Sequence, residues 1–178
     1  MTPADRPRFD SLPNPPSGIG EVLRQRPGKY MMLMAHAQEI LREPASLSSH
    51  EREVIAAYTS RLNGCEYCFG SHAEFALSLG ASAHDIEAVR NDLIDGHPLE
   101  AILAYVRALT LAPSSITDAH KRAVHDAGFD EEQLKDAIAV CAAFNLFNRI
   151  VEGHGVPPHD NYGADVAFIN KHGYDRRY

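Results

Sequence analysis

Four residues in the first half of this chain have the types and spacing for thiol chemistry: Glu53, Cys65, Cys68 and His72. Cys65 and Cys68 are separated by two residues, so their sulfurs can close a disulfide with each other. His72 follows Cys68 by four, which on a helix puts both on one face, a turn apart. A thiolate can attack a peroxide oxygen and become a sulfenic acid, and a second nearby thiol can condense with it. A helix start at Cys65 would help, because its unpaired N–H groups and dipole favour an anionic sulfur. His72 can accept or relay a proton, and Glu53 can orient the imidazole.

The same four groups also have the chemistry of a zinc set. Structural zinc usually staples small loop-rich units, whereas this motif sits in helical scaffold. A disulfide reductase or redox sensor acting on protein thiols is a third use of the pair. Tyr67, between the cysteines, either hydrogen-bonds at the site or packs. Asn145 and Asn148 fall near an inward stripe with Leu134, Ile138 and Cys141, where buried amides need partners; a structural hydrogen bond and a site role are both open. Cys141 reads as a small buried hydrophobe. His154 and His159 read as loop residues, with metal binding as the alternative.

The elements that must position these groups read as helices throughout. Ile19 to Gln25 is a short helix stopped by Pro27, and Lys29 to Leu41 carries an apolar stripe. Ser48 and Glu51 fit a capping box for the helix bearing Glu53, and Asn63-Gly64 ends it. The turn there lets the next helix fold back, with Cys68, His72, Phe75 and Ala76 on its inner face. Ser82, Pro98 and Thr117 open three further helices. Asp130 with Gln133 caps a long one to about Glu152, and the tail holds at most one short helix. No segment alternates as a strand does. The expectation is all-α, six to eight helices, with residues 1–18 as an extended Pro-rich arm lying on a neighbouring subunit and 19–178 as one domain. A weak echo between Glu53-Val-Ile-Ala-Ala and Asp136-Ala-Ile-Ala-Val is compatible with two similar helical hairpins.

Composition narrows the function. The 178 residues carry a formal charge of -7 and no run of Lys and Arg, which argues against nucleic acid or an anionic membrane as partner. No stretch approaches a membrane span and no secretory h-region opens the chain, so the expected compartment is the cytoplasm. In a reducing compartment, three cysteines with one close pair point to redox or metal chemistry rather than to a disulfide framework.

The pattern Glu53, Cys65-x-x-Cys68, His72 resembles the AhpD-like alkylhydroperoxidases of the carboxymuconolactone decarboxylase superfamily, most of all its peroxidase-related branch. Phe144-Asn145-Leu146-Phe147-Asn148-Arg149 resembles that branch's second helical half, so the likeness runs from about Pro27 to Val156. The resemblance implies a helical fold that assembles as homotrimers or hexamers. It implies reduction of hydrogen peroxide or small organic hydroperoxides without haem or metal, with a dithiol as reductant. It casts Cys68 as the attacking thiol, Cys65 as the resolving thiol, and Glu53 with His72 as the proton relay. Some relatives carry His where this chain has Tyr67. The decarboxylase branch typically lacks the Cys pair, so decarboxylation or lactone processing is the remoter reading.

Overall fold

A computed structural model describes residues 5–174. These contain nine α-helices and no strand: α1 Ile19–Gln25, α2 Pro27–Arg42, α3 Ser49–Leu62, α4 Glu66–Ser78, α5 Ala83–Asn91, α6 Glu100–Leu111, α7 Asp118–Asp126, α8 Glu131–Gly153 and α9 Gly163–His172. The all-α expectation is met with one helix more than the six to eight, because Ile19–Gln25 and Gly163–His172 are both separate helices. Pro27 does more than stop α1. It stands at the first position of α2, where its missing N–H costs nothing.

Local chemistry sets the boundaries. Ser48 and Glu51 form the capping box of α3, and Asp130 and Gln133 that of α8. The α3–α4 junction is a Schellman turn. Gly64, at φ +70°, donates to Arg61 O at 3.1 Å, and Cys65 N–H donates to Ser60 O at 2.9 Å. Only a residue at ease in the left-handed region suits position 64. Cys65 therefore ends one helix motif and is also the N-cap of α4.

α3 is the central helix. Residues 52–60 are all buried on it, and it packs on α4, α8, α6, α5 and α2. α8, which carries the echo of the α3 sequence, packs directly on α3. Phe69 and Phe75 of α4 are fully buried; each such ring contributes about 1.5–3 kcal/mol by leaving water. Arg52, buried on α3, spends its guanidinium on the open end of α2, donating to Ile40 O and Glu43 O at 2.9 Å each. Those carbonyls have no partner within their own helix, so Arg52 fixes where α2 ends.

Residues 5–17 precede the helices. Arg6 donates to Val156 O at 2.9 Å and pairs with Glu152 at 3.3 Å, Phe9 stacks on His154, and Leu12 is buried. This segment lies along the C-terminal end of α8 of the same chain.

Candidate functional site

The Schellman turn and the α4 N-terminus place the two thiols. Cys65 is fully buried; Cys68, three residues into α4, is 3% exposed. Both are free thiols. The neighbouring Cys68 thiol, then burial, pushes the Cys65 thiol above its ordinary value, while the Cys68 backbone N–H works the other way. Cys65 therefore keeps its proton. Cys68, unlike Cys65, opens on a cavity of about 60 Å³, roughly the room of two waters.

One helical turn on, His72 lines the same cavity at 8% exposure. Its Nδ1 meets Glu53 Oε2 at 2.5 Å, and Glu53 is completely buried. This is the fold-back that the Asn63-Gly64 turn permits: α3 supplies the acid and α4 the imidazole. Phe144 of α8 meets the imidazole edge-on, with centroids 4.3 Å apart, and fixes the ring plane. With Nδ1 committed to the carboxylate, Nε2 is the nitrogen left for proton exchange. Beyond Cys68, His72 and Ser71, the cavity wall is mainly apolar: Met34, Leu41, Phe75, Phe144, Phe147 and Ile169 supply much of it, with Asp165, Tyr67 and Tyr174 as polar exceptions.

Two groups at the site carry no local signal in the sequence. Arg42, the last residue of α2, donates through Nη1 to Glu53 Oε1. Its guanidinium lies over the rings of Phe75 and Tyr174, 5.2 and 4.9 Å from their centroids. Tyr174, after α9, donates its Oη–H to the same Oε1 at 3.0 Å and is anchored by its own N–H to Gln38 Oε1 of α2 at 2.9 Å. Burial alone would lift the Glu53 carboxyl; His72, and then Arg42, outweigh it and hold the group below its ordinary value.

The secondary candidates divide. Tyr67 reaches the cavity wall, and its Oη accepts from Ile19 N–H at 3.2 Å, tying the start of α1 to α4. Asn145 and Asn148 do not line the cavity. Both accept from Asn63 Nδ2, at 3.2 and 2.9 Å, and Asn148 Nδ2 donates to Ser60 Oγ at 2.9 Å. They clamp the turn that presents Cys65 rather than the reacting atoms. Cys141, fully buried, lies beside Thr110 and Asn145. His154 bonds to Ile150 O through Nδ1, and His159 stacks on Tyr162. Among the described residues no three His, Cys, Asp or Glu groups gather as a metal set. Glu53 has both oxygens engaged by Arg42, Tyr174 and His72.

The sequence model of the carboxymuconolactone decarboxylase family matches residues 29–110, which hold Arg42, Glu53, both thiols and His72. The uncharacterized protein YdfG of Bacillus subtilis (strain 168) is 30% identical over 110 residues, covering 60% of this chain and 74% of its own. The chain belongs to the carboxymuconolactone decarboxylase family. Within this family its fold is that of the AhpD core. A peroxidase-related protein from Ralstonia eutropha JMP134, solved as an alkylhydroperoxidase AhpD core, superposes with a TM-score of 0.74 at 24% identity, over 80% of this chain and 76% of its own. A second peroxidase-related protein, from Silicibacter sp. TM1040, gives 0.69 at 23% identity, over 89% and 92%. Among the described residues, no helix of this family member is long and apolar enough to cross a membrane.

Proposed function

We propose that the protein is a thiol peroxidase that reduces hydrogen peroxide or small organic hydroperoxides through Cys68 and Cys65. The observation that carries this reading is the asymmetry of the pair. Cys68 opens with His72 on a small, mainly apolar cavity, whereas Cys65 is fully buried beside it and does not line that cavity. His72 Nε2 takes the Cys68 proton, while Glu53 holds Nδ1–H and balances the imidazolium. The thiolate attacks the distal peroxide oxygen, the O–O bond breaks, and the leaving alkoxide takes the proton back from His72 as ROH. Cys68 is now a sulfenic acid. Cys65 sulfur attacks it, its thiol proton leaves with the hydroxyl as water, and the Cys65–Cys68 disulfide closes. An external dithiol returns the two electrons by thiol–disulfide exchange. The assembly is a homotrimer or a hexamer, as the superfamily resemblance implies.

Burial of both sulfurs favours a small hydroperoxide over a protein disulfide as the oxidant that meets Cys68, and the same narrow access suits a small dithiol as the reductant. The test is a thiol count on reduced, metal-free protein before and after one equivalent of tert-butyl hydroperoxide. A fall from three titratable thiols to one within seconds is expected, abolished by Cys68→Ser. An unchanged count, or turnover that survives Cys68→Ser, refutes the assignment.

A further inference from the structure

The peroxide chemistry leaves Arg42 and Tyr174 without a role, yet both are built into the site. They approach Glu53 Oε1 from different elements, α2 and the segment after α9, while Oε2 faces His72. Neither is casually placed. The Arg42 side chain is only 12% exposed and lies over two aromatic rings. Tyr174 is buried and pinned at its backbone by Gln38. Gln38 in turn donates to Glu43 at 2.8 Å, at the α2 end that Arg52 also caps.

We propose that Arg42 and Tyr174 are positioning residues that hold Glu53 from the far side, keeping its carboxylate ionised and turned toward His72, so that the pair stands ready to take the Cys68 proton at neutral pH. The proposal rests on the peroxidase reading and makes the segment after α9 part of the site.

The electrostatics agree. The groups facing Glu53 are Arg42 from α2, Arg52 from its own helix, His72 from α4 and Tyr174 from the chain's last described residue; from α8, Phe144 reaches the imidazole. Arg52 senses Asp136, Arg42 and Glu43 as well as Glu53, and its hydrogen bonds go to carbonyls and a hydroxyl. Arg42 is thus the cation in direct contact. Burial, and then the charge of Glu53, push the Tyr174 phenol well above its ordinary value, so it stays a donor. A donor and a cation on one carboxylate oxygen both stabilise the ionised form. Removing either must raise the proton affinity of the Glu53–His72 pair.

The test follows the imidazole resonances of His72 in the full-length, reduced, isotope-labelled protein through a pH titration without peroxide. Arg42→Met should move the titration midpoint of the pair upward by about one pH unit, a tenfold change in proton affinity. Tyr174→Phe, which removes one oxygen and leaves the ring packed, should move it the same way by roughly threefold in affinity, the scale of one hydrogen bond. Arg42→Lys, which keeps the charge, should restore most of the Arg42→Met shift. The acid limb of peroxide consumption should move with the midpoint. Midpoints unchanged in folded Arg42→Met and Tyr174→Phe proteins overturn the proposal; where Arg42→Met does not fold, Tyr174→Phe and Arg42→Lys carry the test. A chain inert to hydroperoxide whose midpoint nonetheless shifts overturns the peroxidase reading and leaves this positioning intact.

Discussion

Replacing Glu53 by Gln changes one atom type at the centre of the site, and the structure lets the consequence be worked out. The amide oxygen can stay with Arg42 and Tyr174. The amide nitrogen then faces His72 Nδ1, now as a donor, and the ring must carry its proton on Nε2 instead. Nε2 is the nitrogen that has to be empty to take a thiol proton, so the substitution inverts the tautomer that the proposed proton transfer needs. General-base assistance contributes about 10²–10⁴-fold, and peroxide consumption should fall by at least about 100-fold. Stability falls too. The Arg42 guanidinium, 12% exposed, finds no acceptor for Nε and Nη2 among the described residues, and Glu53 is its only direct carboxylate there. Leaving one charge of a buried pair uncompensated costs about 3–5 kcal/mol. At about 2–4 °C per kcal/mol for a chain of this size, the low end is a loss of about 6–12 °C in Tm. The deficit has a pH signature. The folded-state carboxyl is held below its ordinary 4.5, so its stabilisation is fully present above pH 4.5 and is lost as pH falls through the folded value. Calorimetry at pH 7 and at steps below pH 4.5 down to acid unfolding should show wild type and Glu53→Gln converging as acid is added. A Glu53→Gln protein that melts within about 1 °C of wild type at pH 7, or keeps a constant deficit through the whole acid range to acid unfolding, would refute the reasoning.

Three further outcomes follow from particular contacts. Asn148→Ala removes the donor to Ser60 Oγ and one acceptor of Asn63; at about 1 kcal/mol each the loss is about 2 kcal/mol by urea unfolding, with slower Cys65–Cys68 closure because the turn loosens. Gly70→Ala drives a Cβ to 2.7 Å from the Tyr162 ring. Overpacking of this kind costs about 1–3 kcal/mol, readable as a lower urea midpoint at unchanged slope. Cys65 gains proton affinity on folding, so its contribution is intact below pH 9.0, the ordinary thiol value, and is lost as pH rises above it. Cys65→Ala should therefore flatten the fall in Tm between pH 8 and 10.5, and an alkaline limb identical to wild type would contradict the burial argument.

How much of this was legible in the chain depends on how far each signal reaches. The α3–α4 unit is local. A capping box at Ser48, a turn at Asn63-Gly64 and a helical spacing from Cys68 to His72 lie within 25 residues, and together they dictate that an acid on one helix meets an imidazole on the next. The amides show the limit. Asn145 and Asn148 announce themselves as polar groups on an inward face, which says that they need partners but not which ones. Their partner Asn63 is 82 and 85 residues away, and only the packing of α8 on α3 brings it to them.

Arg42 and Tyr174 lie beyond even that. Arg42 closes an otherwise apolar stripe on α2, where a cation reads as an ordinary helix-end residue interacting with the last carbonyls. Tyr174 follows a glycine in an irregular tail, 121 residues from the carboxylate it touches. Nothing in either neighbourhood asks for a buried anion. What does ask for them is Glu53 itself. A carboxylate on the most buried face of the central helix cannot be satisfied by one imidazole, because ionised oxygens out of water each need compensating donors. The spacing shows His72 and hides the other two. A completely buried acid at the heart of a helical core is therefore a statement that further cations and donors must arrive from elements distant in sequence. In this chain the end of α2 and the segment after α9 meet that demand.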